Sequence, residues 1–307
     1  MESDLFTGET IPLSEVLSGC SLEIQLLRDC EIAYVGKVPS CVRPRLVPCT
    51  KSEHIVEALA QTGIAGIITT IELAASVPKN LGLAVSNQPL RTAYLIHDFL
   101  CGKKDFHWIS FPTRISKSAR VHSSAIIPEY DVVLGDNCVV HPNAIIYPRT
   151  IIGENSSIGA GTVIGCDGFE VDATNIIHRI LPQAGGVRIG RNVDIQAKCT
   201  IVRSTFGGFT EIGDETKIDC QVHLAHDCHV GRRVRITACA EISGRVEIGD
   251  NSYLGPNVSI SNGVRIGEGA HITIGSVVTR SVAAGTHVSG NFAIEHTKWL
   301  NLMRKVR

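Results

Sequence analysis

From Ile115 onward an aliphatic residue recurs at every sixth position. The series runs Ile115, Val121, Ile127, then after one extra residue Leu134, Val140, Ile146, Ile152, Ile158 and Ile164. It resumes at Ile189, Ile195 and Ile201, and again from Ile212 through Leu224, Ile242 and Ile260 to Val278. Four positions after the aliphatic residue a small or β-branched side chain often follows, as at Ala144, Ser156, Thr162, Val222 and Ala240. This pattern predicts a triangular solenoid. Each six-residue unit makes one flat side, its aliphatic residue points inward onto the coil below, and turn-permissive Gly, Asp or Asn rounds the corner. Three units close a coil, so roughly two dozen units predict about eight coils of a left-handed parallel β-helix, a hexapeptide-repeat solenoid. A β-sandwich with chance periodicity is disfavoured by so long a run. The period breaks twice, at 166–186 and around Gly207–Gly208. Insertions into a stack leave it as loops, and such loops often build a binding face.

The first 110 residues read differently. CEIAYVGKV, RLVPC, IAGIITT and LGLAVSN look like short strands. KSEHIVEALAQTG and QPLRTAYLIHDFLC have helical spacing, with Ser52 a candidate N-cap. Alternating strands and helices predict a small α/β domain over 1–110, ahead of a β-helix domain over 111–288. With little linker after Ile109, the two should pack as one unit. A basic amphipathic tail, 289–307, is expected to form a short helix capping the open end of the solenoid, contact with an acidic carrier being the functional alternative.

Composition narrows the classes. The chain has 307 residues, 44 % hydrophobic and 19 % charged, with a formal net charge of −1. That balance gives no electrostatic reason to expect nucleic acid or an anionic membrane as partner. No apolar run at the start follows a basic segment and none is long enough to span a bilayer, so neither a signal peptide nor a membrane span is expected, and the cytoplasm is the expected location. The 11 cysteines are scattered without a CxxC pair. Cys138, Cys199 and Cys228 fall at the small inward position, which reads as buried hydrophobe rather than disulfide framework.

Candidate chemistry concentrates in HLAHDCH. His226 lies two residues after inward Leu224 and should project outward near a corner. Asp219, one unit earlier, is a carboxylate that could orient the imidazole, and a neutral imidazole so held suits removal of a proton from an attacking amine or hydroxyl. No nucleophile elbow is visible, which favours direct transfer. A backbone N–H near Gly244 is the candidate oxyanion donor, with Asn262 beside the donor site. His223, His226 and His229 could instead bind zinc, as in carbonic anhydrases of this fold. Units six apart lie on different sides of the triangle, however, and no metal site is expected. His178 reads as a solvated loop residue.

The motifs IGCDGF, ILPQAG before RIG, TIVRS, KIDCQVHLAHDCHVG and VVTRSV with VSG resemble those of the UDP-3-O-(3-hydroxyacyl)glucosamine N-acyltransferases of the lipid A pathway, most strongly over 152–288. The resemblance implies that His226 is the general base with Asp219 as its partner. It implies also that Asp167, Gly168, Phe169 and Gln183 shape the acceptor and acyl pocket between subunits of a homotrimer, with His223 nearby. IAYVGK is similar to that family's uridine-binding segment, so Tyr34 would stack on the base and Lys37 would meet the phosphates. The expected substrates are a nucleotide-linked amino sugar and an acyl thioester, on acyl carrier protein or coenzyme A, with no bound cofactor. Val264, where that family has a second histidine, Ser40, in place of a second aromatic after Tyr34, and the short tail leave a second reading open. In it, a coenzyme A-dependent enzyme adds short acyl groups to a dTDP- or UDP-linked amino sugar for surface polysaccharide. A zinc hydratase or silent trimeric scaffold is the alternative of another class.

Overall fold

The structure is a computed structural model and describes residues 9–20, 24–37, 40, 42–174, 176–290 and 295–306. The first eight residues, on which the expectation of no leader partly rests, lie outside that set, as do Val38 at the end of the expected strand CEIAYVGKV and 291–294 of the expected tail.

The hexads form a left-handed parallel β-helix. Its three faces are parallel sheets of eight, nine and seven described strands. Partner residues keep the aliphatic ladder in register: Ile201 pairs with Leu224, Leu224 with Ile242 and Ile242 with Ile260. These inward side chains and the small ones four residues on make a single buried column from Val132 to Val278. Cys138, Cys199 and Cys228 are buried within it. Burying one such aliphatic side chain is worth about 1.5–3 kcal/mol, so the column is the main source of cohesion in the stack.

The corners work differently from the sequence expectation. Left-handed backbone falls three residues after most inward aliphatics, at Asn137, Asn155, Gln221, Asp227, Arg245 and Asn257 among others. Most of these positions are not glycine, and Asn and Asp tolerate that conformation better than other side chains. The glycine directly after the aliphatic residue serves close approach between coils instead. A Cβ on Gly153 would stand 2.7 Å from the Gly190 carbonyl carbon.

In regular coils partner residues stand 18 apart, a spacing that grows to 37 across the first interruption and to 23 across the second. The first interruption contains an antiparallel pair, Val171–Asp172 with Arg179–Ile180. Both interruptions turn toward the front domain, where Leu181 and Phe206 join its core. Arg179 binds Asp98 at 2.5 Å, and the Pro182 carbonyl lies 2.8 Å from His97 Nε2.

The front domain is a five-stranded sheet. Strands at Tyr34–Val35, Arg45–Pro48, Ile64–Thr69 and Gly82–Val85 run parallel, with Gln25–Arg28 antiparallel at the edge. Alternate strand residues serve two cores. Leu46, Ile68 and Ala84 face helices α1 (Leu13–Gly19) and α3 (Pro89–Gly102), while Val47, Ile67 and Leu83 face α2 (Ser52–Leu59). Ser52 begins α2 rather than capping it; Lys51 holds the cap position, without a side-chain hydrogen bond. The tail forms helix α4 (His296–Val306), but its described side chains are exposed apart from half-buried Met303. None of its described side chains is fully buried against the solenoid. No described helix is long and apolar enough to cross a membrane.

Candidate functional site

His226 sits at the corner that follows the strand His223–Leu224. The next residue, Asp227, has φ 60°, and this left-handed turn brings its carboxylate to the same side as the preceding ring. His226 Nδ1 lies 2.8 Å from Asp227 Oδ2. A carboxylate only accepts, so this contact places the ring proton on Nδ1 and leaves Nε2 as the basic atom. Asp227 is itself fixed. The Ser204 hydroxyl and the Thr205 N–H, at 3.0 Å, both donate to Oδ1. Burial pushes the Asp227 carboxyl up, but the hydrogen bonds from His226 and Ser204 and the Arg245 charge outweigh it and hold the group below the usual carboxylate range.

One coil further on, Gly244 occupies the place beneath the imidazole. A Cβ there would stand 2.6 Å from His226 Cε1 and 2.7 Å from Nε2, so only glycine admits the ring. The ring opens onto a groove of about 850 Å³, lined by Gly168, Phe169, Ile180, Val202, His223, Ser243, Gly244 and Asn262 among others. The long insertion thus supplies one wall and four successive coils the other.

Behind the ring lies Glu170, buried and reached from three elements. Lys37 of the front domain binds Oε1, with the Tyr94 hydroxyl at 3.4 Å. Arg245 of the solenoid donates to Oε2 at 2.9 Å, and the same oxygen is 3.7 Å from His226 Nε2. Burial alone would raise the Glu170 carboxyl, yet Arg245 and Lys37 outweigh it and keep the group below its ordinary range.

Several expected residues gather at the groove. His223 stands on its wall with Nε2 3.8 Å from Glu241. Phe169 is 81 % exposed on the rim, while buried Gly168 fits beneath His226, where a Cβ would meet the histidine Cβ at 3.2 Å. Asp167 is exposed, 3.4 Å from Arg203 Nε. Gln183 supports the wall rather than lining it, accepting from the Thr205 hydroxyl at 3.0 Å and donating to the Leu181 carbonyl at 2.8 Å.

Three expectations are corrected within this chain. Asp219 does not hold the imidazole. It stands exposed at the preceding corner and accepts from the Cys220 N–H at 2.7 Å, and Asp227 takes its place on Nδ1. Lys37 does not await phosphates; its ammonium is engaged by Glu170 and lies over the Tyr94 ring. Tyr34 stacks on His107 at 5.2 Å and 12°, so one ring face is already covered, and its ring also lies against Gly207. Burial pushes His107 down to about 4, so the stacking partner is a neutral ring at physiological pH. Tyr34 does border a second cavity, about 300 Å³, with Arg43, Arg188, His229 and the far side of Asp227.

His223 and His229 lie on different faces, beside Glu241 and Glu211 respectively. Among the described residues no group of three or more His, Cys, Asp or Glu is placed to hold a metal ion. Asp227, Glu170 and Arg245 were not singled out from sequence. A signal existed for the first, since the third residue after an inward aliphatic takes the left-handed corner. Glu170 directly follows the DGF turn but belongs to no period.

A parallel triangular solenoid with a histidine–carboxylate pair at a corner belongs to the hexapeptide class of architectures. The bacterial transferase hexapeptide (six repeats) family model matches residues 131–166, 209–244 and 245–280. All three matched stretches lie within the β-helix. A UDP-3-O-acylglucosamine N-acyltransferase of Shewanella denitrificans is 42 % identical over 138 residues, 45 % of this chain and 40 % of that protein. One of Bordetella parapertussis is 32 % identical over 142 residues, 45 % of this chain and 39 % of that protein. One of Nitratidesulfovibrio vulgaris is 44 % identical over 81 residues, 26 % of this chain and 23 % of that protein. The chain thus spans between about a quarter and two fifths of the length of these relatives. Among solved structures, an Arabidopsis UDP-N-acetylglucosamine acyltransferase aligns over 58 % of this chain and 69 % of its own, at 24 % identity and TM-score 0.47.

Proposed function

We propose that this chain transfers an acyl group from a thioester to the amine of a nucleotide-linked amino sugar, with His226 as general base. The observation that carries the reading is the His226–Asp227 pair, buried at the end of an open groove with Nδ1 engaged by the carboxylate. The curated relatives, each named a UDP-3-O-acylglucosamine N-acyltransferase, support this class of donor and acceptor.

In this reaction the amine nitrogen attacks the thioester carbonyl while His226 Nε2 takes its proton. The carbonyl electrons move to oxygen, and collapse of the tetrahedral intermediate expels the thiolate, which recovers the proton. Asp227 holds the ring in the required tautomer and stabilises the imidazolium as it forms. Among the described residues the Gly244 N–H makes no backbone hydrogen bond, which suits it to receive the oxyanion. The apolar wall of Phe169, Ile180, Leu181 and Val202 fits an acyl chain, and a 3-hydroxyacyl group is the proposed cargo. The front domain is proposed as the nucleotide-binding unit. A homotrimer closes the groove, whose rim leaves Phe169 bare in the single chain.

The test is thiol release by the purified protein with UDP-linked 3-O-acylglucosamine amine. Donors are 3-hydroxymyristoyl carrier protein and, separately, acetyl- and 3-hydroxybutyryl-coenzyme A with dTDP-amino sugars. Turnover that needs both thioester and amine and disappears in His226→Ala is expected. Turnover with short donors alone reassigns the cargo, and no turnover with any pair ends the transferase reading.

A further inference from the structure

Glu170 stands where the insertion, the front domain and the solenoid meet, and its second oxygen faces the working nitrogen of the histidine. The 3.7 Å between Glu170 Oε2 and His226 Nε2 is too long for a hydrogen bond but short for a charge interaction. The imidazole therefore lies between two carboxylates, Asp227 at Nδ1 and Glu170 near Nε2. A neutral ring gains little from this pair. A ring that has just taken a proton gains much, because positive charge then faces negative charge on both sides.

The charged groups around the ring are Asp227 on its own corner, Glu170 on the insertion, Arg245 on the next coil and Lys37 on the front domain, the last acting through Glu170. The Tyr94 hydroxyl and His97 lie behind them on α3, and Glu241 faces His223 on the groove wall. Lys37 is the sole member of this set that combines a charge with a place on the front domain's strand-end loop, at 26 % side-chain exposure.

We propose that Glu170 is a positioning residue of the acyl-transfer site, a carboxylate that holds the His226 ring from its Nε2 side and whose field the front domain sets through Lys37. The proposal rests on the functional reading above. It also gives the front domain a part in the chemistry. Removing the Lys37 charge unmasks Glu170 and favours the imidazolium when the amine proton is transferred.

The experiment uses the full chain as parent, Glu170→Gln, Lys37→Met and the double variant, with two readouts. One is the pH profile of kcat/KM with a hydroxyacyl thioester and the UDP-linked amine. The other is the pH titration of the His226 ring signal by NMR, assigned by its loss in His226→Ala. Glu170→Gln should move both the acid limb and the ring midpoint down by about 0.5–1 pH unit, since an opposite charge within a few ångströms favours the charged form. Lys37→Met should move both up, and adding it to Glu170→Gln should recover only a fraction of that rise. Unmoved midpoints, or shifts of the opposite sign, overturn the proposal even if melting temperatures fall, and reduce Glu170 to a seam ion pair. Should Glu170→Gln fail to fold, the sign of the Lys37→Met shift decides alone. Absence of turnover, or full activity in His226→Ala, refutes the functional reading instead, and the ring titration still decides what Glu170 does.

Discussion

Replacing Gly244 by alanine adds one methyl group in the worst place the groove offers. The new Cβ would meet His226 Cε1 at 2.6 Å and Nε2 at 2.7 Å, where ordinary contact begins near 3.4 Å. The ring must therefore yield by about 0.8 Å, comparable to the misplacement of about 1 Å that costs 10²-fold when reacting groups lose alignment. It cannot slide freely, because Asp227 holds Nδ1 at 2.8 Å and is itself bonded by Ser204 and Thr205. The backbone at Gly244 does not have positive φ, so alanine strains the ring rather than the chain. Stability should fall by about 1–3 kcal/mol, the usual cost of overpacking a tethered side chain. The assay is kcat/KM by thiol release beside a thermal melt, with Gly290→Ala as control because a Cβ there meets nothing within 4 Å. A loss of about 10²-fold is expected at a temperature where the melt shows the variant still fully folded. Activity within threefold of the parent would refute the argument that His226 works from this position.

Further outcomes follow from the same geometry. Asp227→Asn should lower kcat by about 10²–10⁴-fold, the range of general-base contributions, while Asp219→Asn stays near the parent; equal losses in a kinetic comparison would show that Asp219 reaches a histidine from a neighbouring chain. Asp227 and Glu170 both have folded-state values below the ordinary carboxylate range, so the stability they contribute is present above about pH 4–4.5 and is lost as pH falls through those depressed values. Urea unfolding from pH 7 to pH 3 should show that decline, less steep in Glu170→Gln, and an unchanged slope in the variant counts against it. Leu224→Ala in the buried column should cost about 2–5 kcal/mol, whereas Ile115→Ala at the half-open first coil costs far less; similar denaturation midpoints would contradict the column as the source of cohesion.

The solenoid was legible because its spacing is a direct image of its packing. Each inward position must be aliphatic, and Ile201, Leu224 and Ile242 stack on one another as the period requires. The site was half legible. His226 could be placed at a corner from its distance to Leu224, but adjacent side chains diverge along a strand, so nothing in the period pairs it with the next residue. The left-handed turn at Asp227 reverses that rule. Glu170 and Lys37 are 133 residues apart and meet only because the insertion folds back on the front domain, a contact with no trace in any local pattern. The same holds for Tyr34, whose stacking on His107 joins elements 73 positions apart by tertiary packing alone.

The coil-by-coil ladder described above makes the chain modular. The groove draws on coils up to Asn262, and the front domain rests on the two interruptions near its start. Beyond Asn262 each turn touches only the turn before and the turn after, with Ser259 pairing Val277 and Ile272 pairing Val288. A whole turn duplicated within the stretch after Ile266 thus changes the length of the rod and leaves the groove untouched. The distal end is a tunable spacer, set apart from the chemistry, whose reach can drift or be redesigned independently of the reaction.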